Sequence, residues 1–254
     1  MATAKLSLFI VQSRALIMKL ETLSATPVMS IDWQYHLSFR RDLLAKCPEL
    51  PKPKYLLAPE IRELANLPIN QHHKMLLLLL FNTGARVSEV LCLTPNDIIR
   101  HNSKTVIKIR TLKQQRTLKQ GRPKDGLIRL ITLYDHHFAD MLQSYIVTHC
   151  SNKKLPIFRT QQKSPNGKRD RPMNSETARN WLRQIELIAL DNGVDVLISL
   201  TPKVLRHSAA IHLILNGMPV KMVQKFLGHK SMQSTEVYTD LLAMDMSYNV
   251  QIAF

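Results

Sequence analysis

A mainly α-helical fold with one small β-hairpin sheet is what this sequence predicts. Glycine is scarce, 7 residues in 254 or about 3%, against a usual ~7%. Apolar residues make up 45% of the chain and recur at helical spacing between proline and glycine stops. Strand periodicity is confined to the stretch between residues 105 and 133.

Taken in order, Ser7 to Leu23 is a first helix candidate and Ile31 to Cys47 a better one, with Trp33, Leu37, Leu44 and Cys47 near one face. The proline-rich PELPKPK, from Pro48 to Lys54, reads as a linker. The predicted division is therefore a short helical segment and linker over residues 1–53 and a larger unit over 54–254. In the larger unit, Pro59 suits the first turn of a helix reaching about Asn66. Asn70 to Thr83 is an apolar helix stopped by Gly84, and Arg86 to Leu91 a short one. Thr94-Pro95-Asn96-Asp97 is turn chemistry. Thr105 to Thr111 alternates as a strand, Leu127 to Leu133 is its partner, and between them the pentapeptide RTLKQ occurs twice, making a long basic hairpin. Helices resume over Asp135 to Cys150, from Asn174 or Ser175 to about Asn192, from Thr201-Pro202 to about Asn216, over Pro219 to Leu227 and over Ser234 to Leu242. An apolar tail, Ala243 to Phe254, closes the chain.

Composition narrows the function classes. No stretch approaches the ~20 apolar residues of a membrane-spanning helix, and the N-terminus lacks a signal-peptide pattern, so a cytoplasmic protein with no membrane partner is expected. There is no GxGxxG and no GxxxxGK[ST] loop to cradle a nucleotide. Three scattered cysteines without CxxC read as free thiols in a reducing compartment. The pairs His72-His73 and His136-His137 lack companion ligands, so no metal site is expected. The formal net charge is +16, and it is clumped: ten cations against Asp125 between Arg100 and Arg129, seven against Asp170 between Lys153 and Arg171. So one-sided a distribution suits a nucleic acid partner.

Three motifs could carry chemistry. Lys203 and Arg206, three apart on one helix, share a face opposite the stripe of Leu205, Ala209, Leu213 and Ile214, and are expected to project together away from the core. Leu227-Gly228-His229 is followed nine residues later by Tyr238. Thr83-Gly84-Ala85-Arg86-Val87-Ser88-Glu89 follows the apolar helix. In this order, around a basic hairpin, the series from TGARVSEVLCLTPNDI to TPKVLRHSAAIHLILNGMPVKMVQKFLGHKSMQSTEVYT resembles the tyrosine recombinases, also called the phage integrase family. The spacing of 23 residues from Arg206 to His229 and nine from there to Tyr238 is similar to theirs, and within the family the chain looks most like small resolvases of bacterial plasmids.

The resemblance implies the tyrosine recombinase catalytic-domain fold over 54–254, with 1–53 a reduced DNA-clamping region to which Trp33, Tyr35, Arg40 and Arg41 could contribute, unless that helix simply packs on the catalytic domain. It implies a site-specific DNA recombinase working without cofactor or metal through a 3′-phosphotyrosyl intermediate, as a homotetramer on two synapsed duplex sites, with a tail that docks on a neighbouring protomer. Tyr238 would be the nucleophile, Arg86 and Arg206 the phosphate clamp, His229 a phosphate hydrogen-bond donor and Glu89 a support for Arg86. Two guanidiniums suit the charge that builds on an attacked phosphodiester, and two nearby cations should favour the phenolate. A hairpin lysine would protonate the leaving 5′-oxygen: aligning the first strand selects Lys113, aligning the second selects Lys124, and Lys113 is the first choice. Arg110, Arg116, Lys119 and Arg122 would hold DNA. The sequence departs from the family in having Lys203 where a histidine is usual; an ammonium can hold phosphate oxygens but cannot accept a proton while charged. That departure leaves open a non-catalytic DNA-binding accessory protein of the same fold. A type IB topoisomerase-like nicking-closing enzyme shares the chemistry.

Overall fold

The computed structural model describes residues 33–49, 54–102, 104–111, 128–160, 170–229 and 231–246. Nine α-helices and three strands stand among them. The helices are α1 (Trp33–Lys46), α2 (Ala58–Asn66), α3 (Gln71–Thr83), α4 (Val87–Leu91), α5 (His136–His149), α6 (Ser175–Asp191), α7 (Pro202–Leu215), α8 (Val220–Leu227) and α9 (Gln233–Met246). The strands are β1 (Ile98–His101), β2 (Lys104–Arg110) and β3 (Ile128–Leu133). The described residues belong to one compact unit that begins at Trp33, and none of their helices is long and apolar enough to cross a membrane.

Local chemistry sets the helix ends. Asn70, Asp135, Asn174 and Thr201 each accept a backbone N–H of the first turn of α3, α5, α6 and α7 through a side-chain oxygen. Gly84 and Gly228 end α3 and α8 in the left-handed conformation. Helix α3 is apolar all round because it runs through the core: Leu76, Leu77, Leu79 and Leu80 are fully buried. It packs along α7 and also touches α2, α4, α5 and α6.

The sheet has the order β1-β2-β3 and is antiparallel throughout. Ile107, Ile109, Ile131 and Leu133 face the core, Ile107 being paired with Ile131. Strand β1 is an addition to the expected hairpin. It is an edge strand whose four residues are half-buried or exposed, so it carries no alternation to read. The RTLKQ repeat lies outside the described residues, as does the helix candidate Ser7 to Leu23. Helix α9 runs four residues beyond the expected Leu242, so the tail's first residues, 243–246, are helical; 247–254 lie outside the described residues.

Helix α1 packs on α2, α7 and the segment around Tyr55. Arg40 is buried, donates from Nη2 to the Tyr55 carbonyl at 2.6 Å, and stands 3.6 Å from Glu60 and 4.9 Å from the centroid of the Tyr55 ring. Trp33 stacks on His212 of α7 at 5.5 Å, and Arg41 pairs with Glu63. Of the four residues considered for DNA clamping, Arg40 and Trp33 are thus taken up by packing. Both side chains are held within the fold, Arg40 against Tyr55 and Glu60 and the Trp33 indole on the His212 ring.

Candidate active site

Five sequence-separated elements converge on one cleft of about 540 Å³. The turn entering α4 brings Arg86, the start of α7 brings Lys203, Arg206 and His207, and the turn after α8 brings His229. Helix α9 adds Tyr238 and Ser234, and α6 adds Arg179. The lining holds four cations and no carboxylate, an environment that suits a phosphate. Six expected site residues, Arg86, Glu89, Lys203, Arg206, His229 and Tyr238, are in or directly behind this cleft. Lys113 and Lys124 lie outside the described residues, as do Arg116, Lys119 and Arg122. Arg110 ends β2 with its guanidinium largely exposed, 3.3 Å from Asp97.

Arg206 is where the expectation needs correction. It shares the cleft with the exposed Lys203, but it does not project away from the core; it is buried. Nη1 donates to the Gly84 carbonyl at 2.8 Å and Nη2 to the Leu227 carbonyl at 3.0 Å. The ends of α3 and α8 close over that side of α7, so the guanidinium forms the floor between two helix C-termini. Their unsatisfied carbonyls carry partial negative charge there. Burial, and then the charge of Arg86, bring its pKa down to about 10, which still leaves it charged at neutral pH.

Arg86 is about a quarter exposed and held from behind. Its Nη1 donates to Glu89 Oε1 at 3.0 Å, and its backbone N–H to Glu89 Oε2 at 3.0 Å. Glu89 is buried, and its Oε2 also receives Nη2 of Arg129 at 2.6 Å.

Tyr238 is only 2% exposed. Its ring lies in an apolar cluster with Leu37, Tyr55, Leu57, Ala210, Ile211, Val223 and Leu227. Burial pushes the phenol up; the Arg206 charge and hydrogen bond, and then Arg86, pull it down, and burial prevails. The cations act in the anticipated sense, but desolvation outweighs them, so the phenol of the free chain stays protonated at neutral pH.

Two imidazoles flank that ring. His229 is stacked on it at 6.0 Å and 17°, and His207 meets it edge-on at 5.3 Å. His229 Nδ1 is 2.9 Å from the hydroxyl of the fully buried Thr235. With that hydroxyl donating, the ring proton sits on Nε2, free to donate to an anion. Burial and then Arg206, Arg86 and Arg129 bring His229 down to about 4; burial and then Lys203 and Arg206 do the same to His207. Both are neutral at pH 7.

The chain has relatives among known proteins. The model of the phage integrase family matches residues 54–244. The chain is 35% identical over 210 residues to a resolvase of Escherichia coli K12, covering 80% of this chain and 76% of that one. It is 30% identical over 235 residues to a probable site-specific recombinase in the afa region of Escherichia coli, covering 92% and 88%. The chain belongs to the phage integrase family. It is a tyrosine-type site-specific recombinase. The recombinase XerH, solved with its difH substrate before cleavage, shares the fold at a TM-score of 0.56 and 19% identity, over 79% of this chain and 54% of that one.

Sequence reasoning missed three residues that this tyrosine recombinase places at its site: His207, Thr235 and Arg129. Thr235 lies three residues before Tyr238 on α9, so helical spacing puts both on one face. Arg129 left a clearer trace. It has the same parity on β3 as the core-facing Ile131 and Leu133, a cation in a buried register.

Proposed function

We propose that the chain cleaves and rejoins duplex DNA through a covalent 3′-phosphotyrosyl intermediate, in the service of resolving plasmid multimers. The observation that carries this reading is a buried tyrosine brought, with two neutral imidazoles, to a cleft that gathers Arg86, Arg179, Lys203 and the buried Arg206 and no carboxylate. Attack of the Tyr238 hydroxyl oxygen on the scissile phosphorus forms the P–O(Tyr) bond and breaks the P–O5′ bond. The phenolic proton leaves to an acceptor in the cleft, and the 5′-oxygen receives a proton from a hairpin lysine, Lys113 or Lys124. Arg86 and Arg206 hold the non-bridging oxygens where charge builds, and their prior anchoring by Glu89 and by two carbonyls means little reorganisation at that moment. Lys203, exposed at the cleft mouth, adds a third cation to the phosphate, and the His229 Nε2–H a donor. The free 5′-hydroxyl of a partner strand then reverses the step, so the phosphodiester energy is kept in the tyrosyl bond. Four protomers on two synapsed sites would exchange strands in pairs. The 35% identity to a protein named a resolvase supports the resolution role.

Covalent trapping tests it. The protein is mixed with DNA of the replicon that encodes it in the presence of EDTA, denatured with detergent, and scored for DNA-linked protein beside Tyr238→Phe. Adducts that vanish in the variant are the expected result, followed by loss of one circle's worth of DNA from a two-site plasmid. Specific DNA binding without adduct would instead make this an accessory protein of the same fold, with Lys203 as the altered position. Adducts with relaxation of supercoils but no exchange between sites would make it a nicking-closing enzyme.

A further inference from the structure

Arg129 has no assigned part in the chemistry above, yet it joins two of the turns that make the cleft. On β3 it faces Ile109 of β2, and its side chain is only 9% exposed. From Nη2 it donates to Glu89 Oε2 at 2.6 Å, the carboxylate that holds Arg86. From Nη1 it donates to the Phe226 carbonyl, in the last turn of α8, at 2.9 Å. The same guanidinium lies against the backbone of Gly228, the residue before His229. A Cβ at Gly228 would stand 2.8 Å from Nη1 and 3.0 Å from Cζ and Cδ. One rigid fork therefore spans from the Arg86 turn to the His229 turn. An ammonium, a single point charge on a flexible stem, cannot keep both bonds in that geometry.

Charge adds a second effect. Glu89 is buried between two guanidiniums, Arg86 and Arg129. With Arg129 present, the carboxylate's charge is shared, and Arg86 keeps net positive charge to offer a phosphate. With Arg129 gone, Arg86 is the one cation left paired with Glu89 among the described residues, and more of the carboxylate's charge falls on it, which draws Arg86 back from a phosphate.

We propose that Arg129 is a positioning residue for the transesterification: it sets Arg86, through Glu89, and His229, through the Phe226–Gly228 turn, in one register around the scissile phosphate. The proposal rests on the phosphotyrosyl reading above. It predicts a split between binding and chemistry. Arg129 is nearly buried and is not part of the cleft lining, so Arg129→Met keeps its affinity for site DNA within about threefold. Its first-order rate of covalent adduct formation falls about 100-fold. Arg129→Lys falls between the two.

The decisive readout is coupling. Arg86→Lys, Arg129→Met and the double variant are compared in single-turnover adduct formation, beside thermal unfolding of each. Because Arg129 acts in part through Arg86, the double variant loses clearly less than the product of the two single losses, the remainder being what Arg129 does through the His229 turn. Multiplying losses would show that Arg129 acts independently, and would overturn the proposal. So would an Arg129→Met rate within threefold of the wild type, or equal losses of affinity and rate. Should Arg129→Met fail to fold, Arg129→Lys decides by the same criteria. A wild-type protein that forms no Tyr238-dependent adduct removes the phosphotyrosyl reading itself. Adduct formation that is indifferent to Arg129 removes only this inference.

Discussion

Gly84→Ala tests whether the floor of the cleft is as tightly built as the contacts imply. Gly84 has φ +55°, and a Cβ there would meet Leu227 Cδ2 at 2.7 Å and Ala209 Cβ at 3.3 Å. Carbon atoms prefer about 3.5–4.0 Å, and Leu227 and Ala209 are buried, so neither has open space to move into. Placing alanine in the left-handed region costs about 1–2 kcal/mol, partly offset by up to ~1 kcal/mol because the unfolded chain is stiffened. Overpacking adds about 1–3 kcal/mol. The expected total is about 1–5 kcal/mol. Gly217, at φ +82° with nothing within 4 Å of its Cβ position, isolates the backbone part, so Gly217→Ala should cost only about 1 kcal/mol. Urea unfolding followed by circular dichroism measures both, and the comparison holds if the slopes of the transitions agree. The Gly84 carbonyl also accepts Nη1 of Arg206, so Gly84→Ala should lower adduct formation beyond what lost stability explains, while Gly217→Ala should not. Equal destabilisation by the two substitutions would refute the packing argument. A Gly84→Ala protein as active as the wild type would refute the link to Arg206.

Three further outcomes are expected at the site. Arg206→Lys leaves one of the Gly84 and Leu227 carbonyls without its donor, and should destabilise the fold by about 1–3 kcal/mol by denaturant titration while sharply reducing cleavage. Lys203→His should leave stability within about 0.5 kcal/mol, since the side chain is exposed, and should keep or raise cleavage if the position only holds phosphate. A loss beyond about tenfold, or 1.4 kcal/mol of barrier, would show that the ammonium does what an imidazole cannot. His207 and His229 titrate at about 4 in the folded chain against an ordinary 6.5, so the unfolded chain binds more protons between those values. Their contribution is fully present above pH 6.5 and is lost as pH falls toward 4. Solvent screening at these half-buried rings holds the loss to about 1–2 kcal/mol between pH 6.5 and 5, and a doubly substituted His207→Gln, His229→Gln protein should show a flatter stability profile over that range.

What could be read from the sequence, and what could not, divides along the range of the interactions involved. Helix ends were legible because a cap is local chemistry: Asn70 and Thr201 accept from residues two and three further on, and Gly84 needs only its own φ. Arg86, Arg206, His229 and Tyr238 were legible through the resemblance to the tyrosine recombinases, and the structure brings the four to one cleft. The depth of Arg206 was not legible, because helical spacing gives a direction but not what lies there. That depends on α3 and α8 ending against the same face of α7, at Gly84 and Leu227, contacts separated by 122 and 21 residues. The balance at Tyr238 was missed for the same reason. Counting nearby cations favours the phenolate, but the desolvation that wins comes from Leu37, Tyr55 and Val223, which the motif does not contain. Arg129 stands between these cases. Its parity on β3 marks it as inward-facing, and an inward cation requires buried acceptors to receive it; Glu89, three residues from Arg86, is the one that makes that parity meaningful.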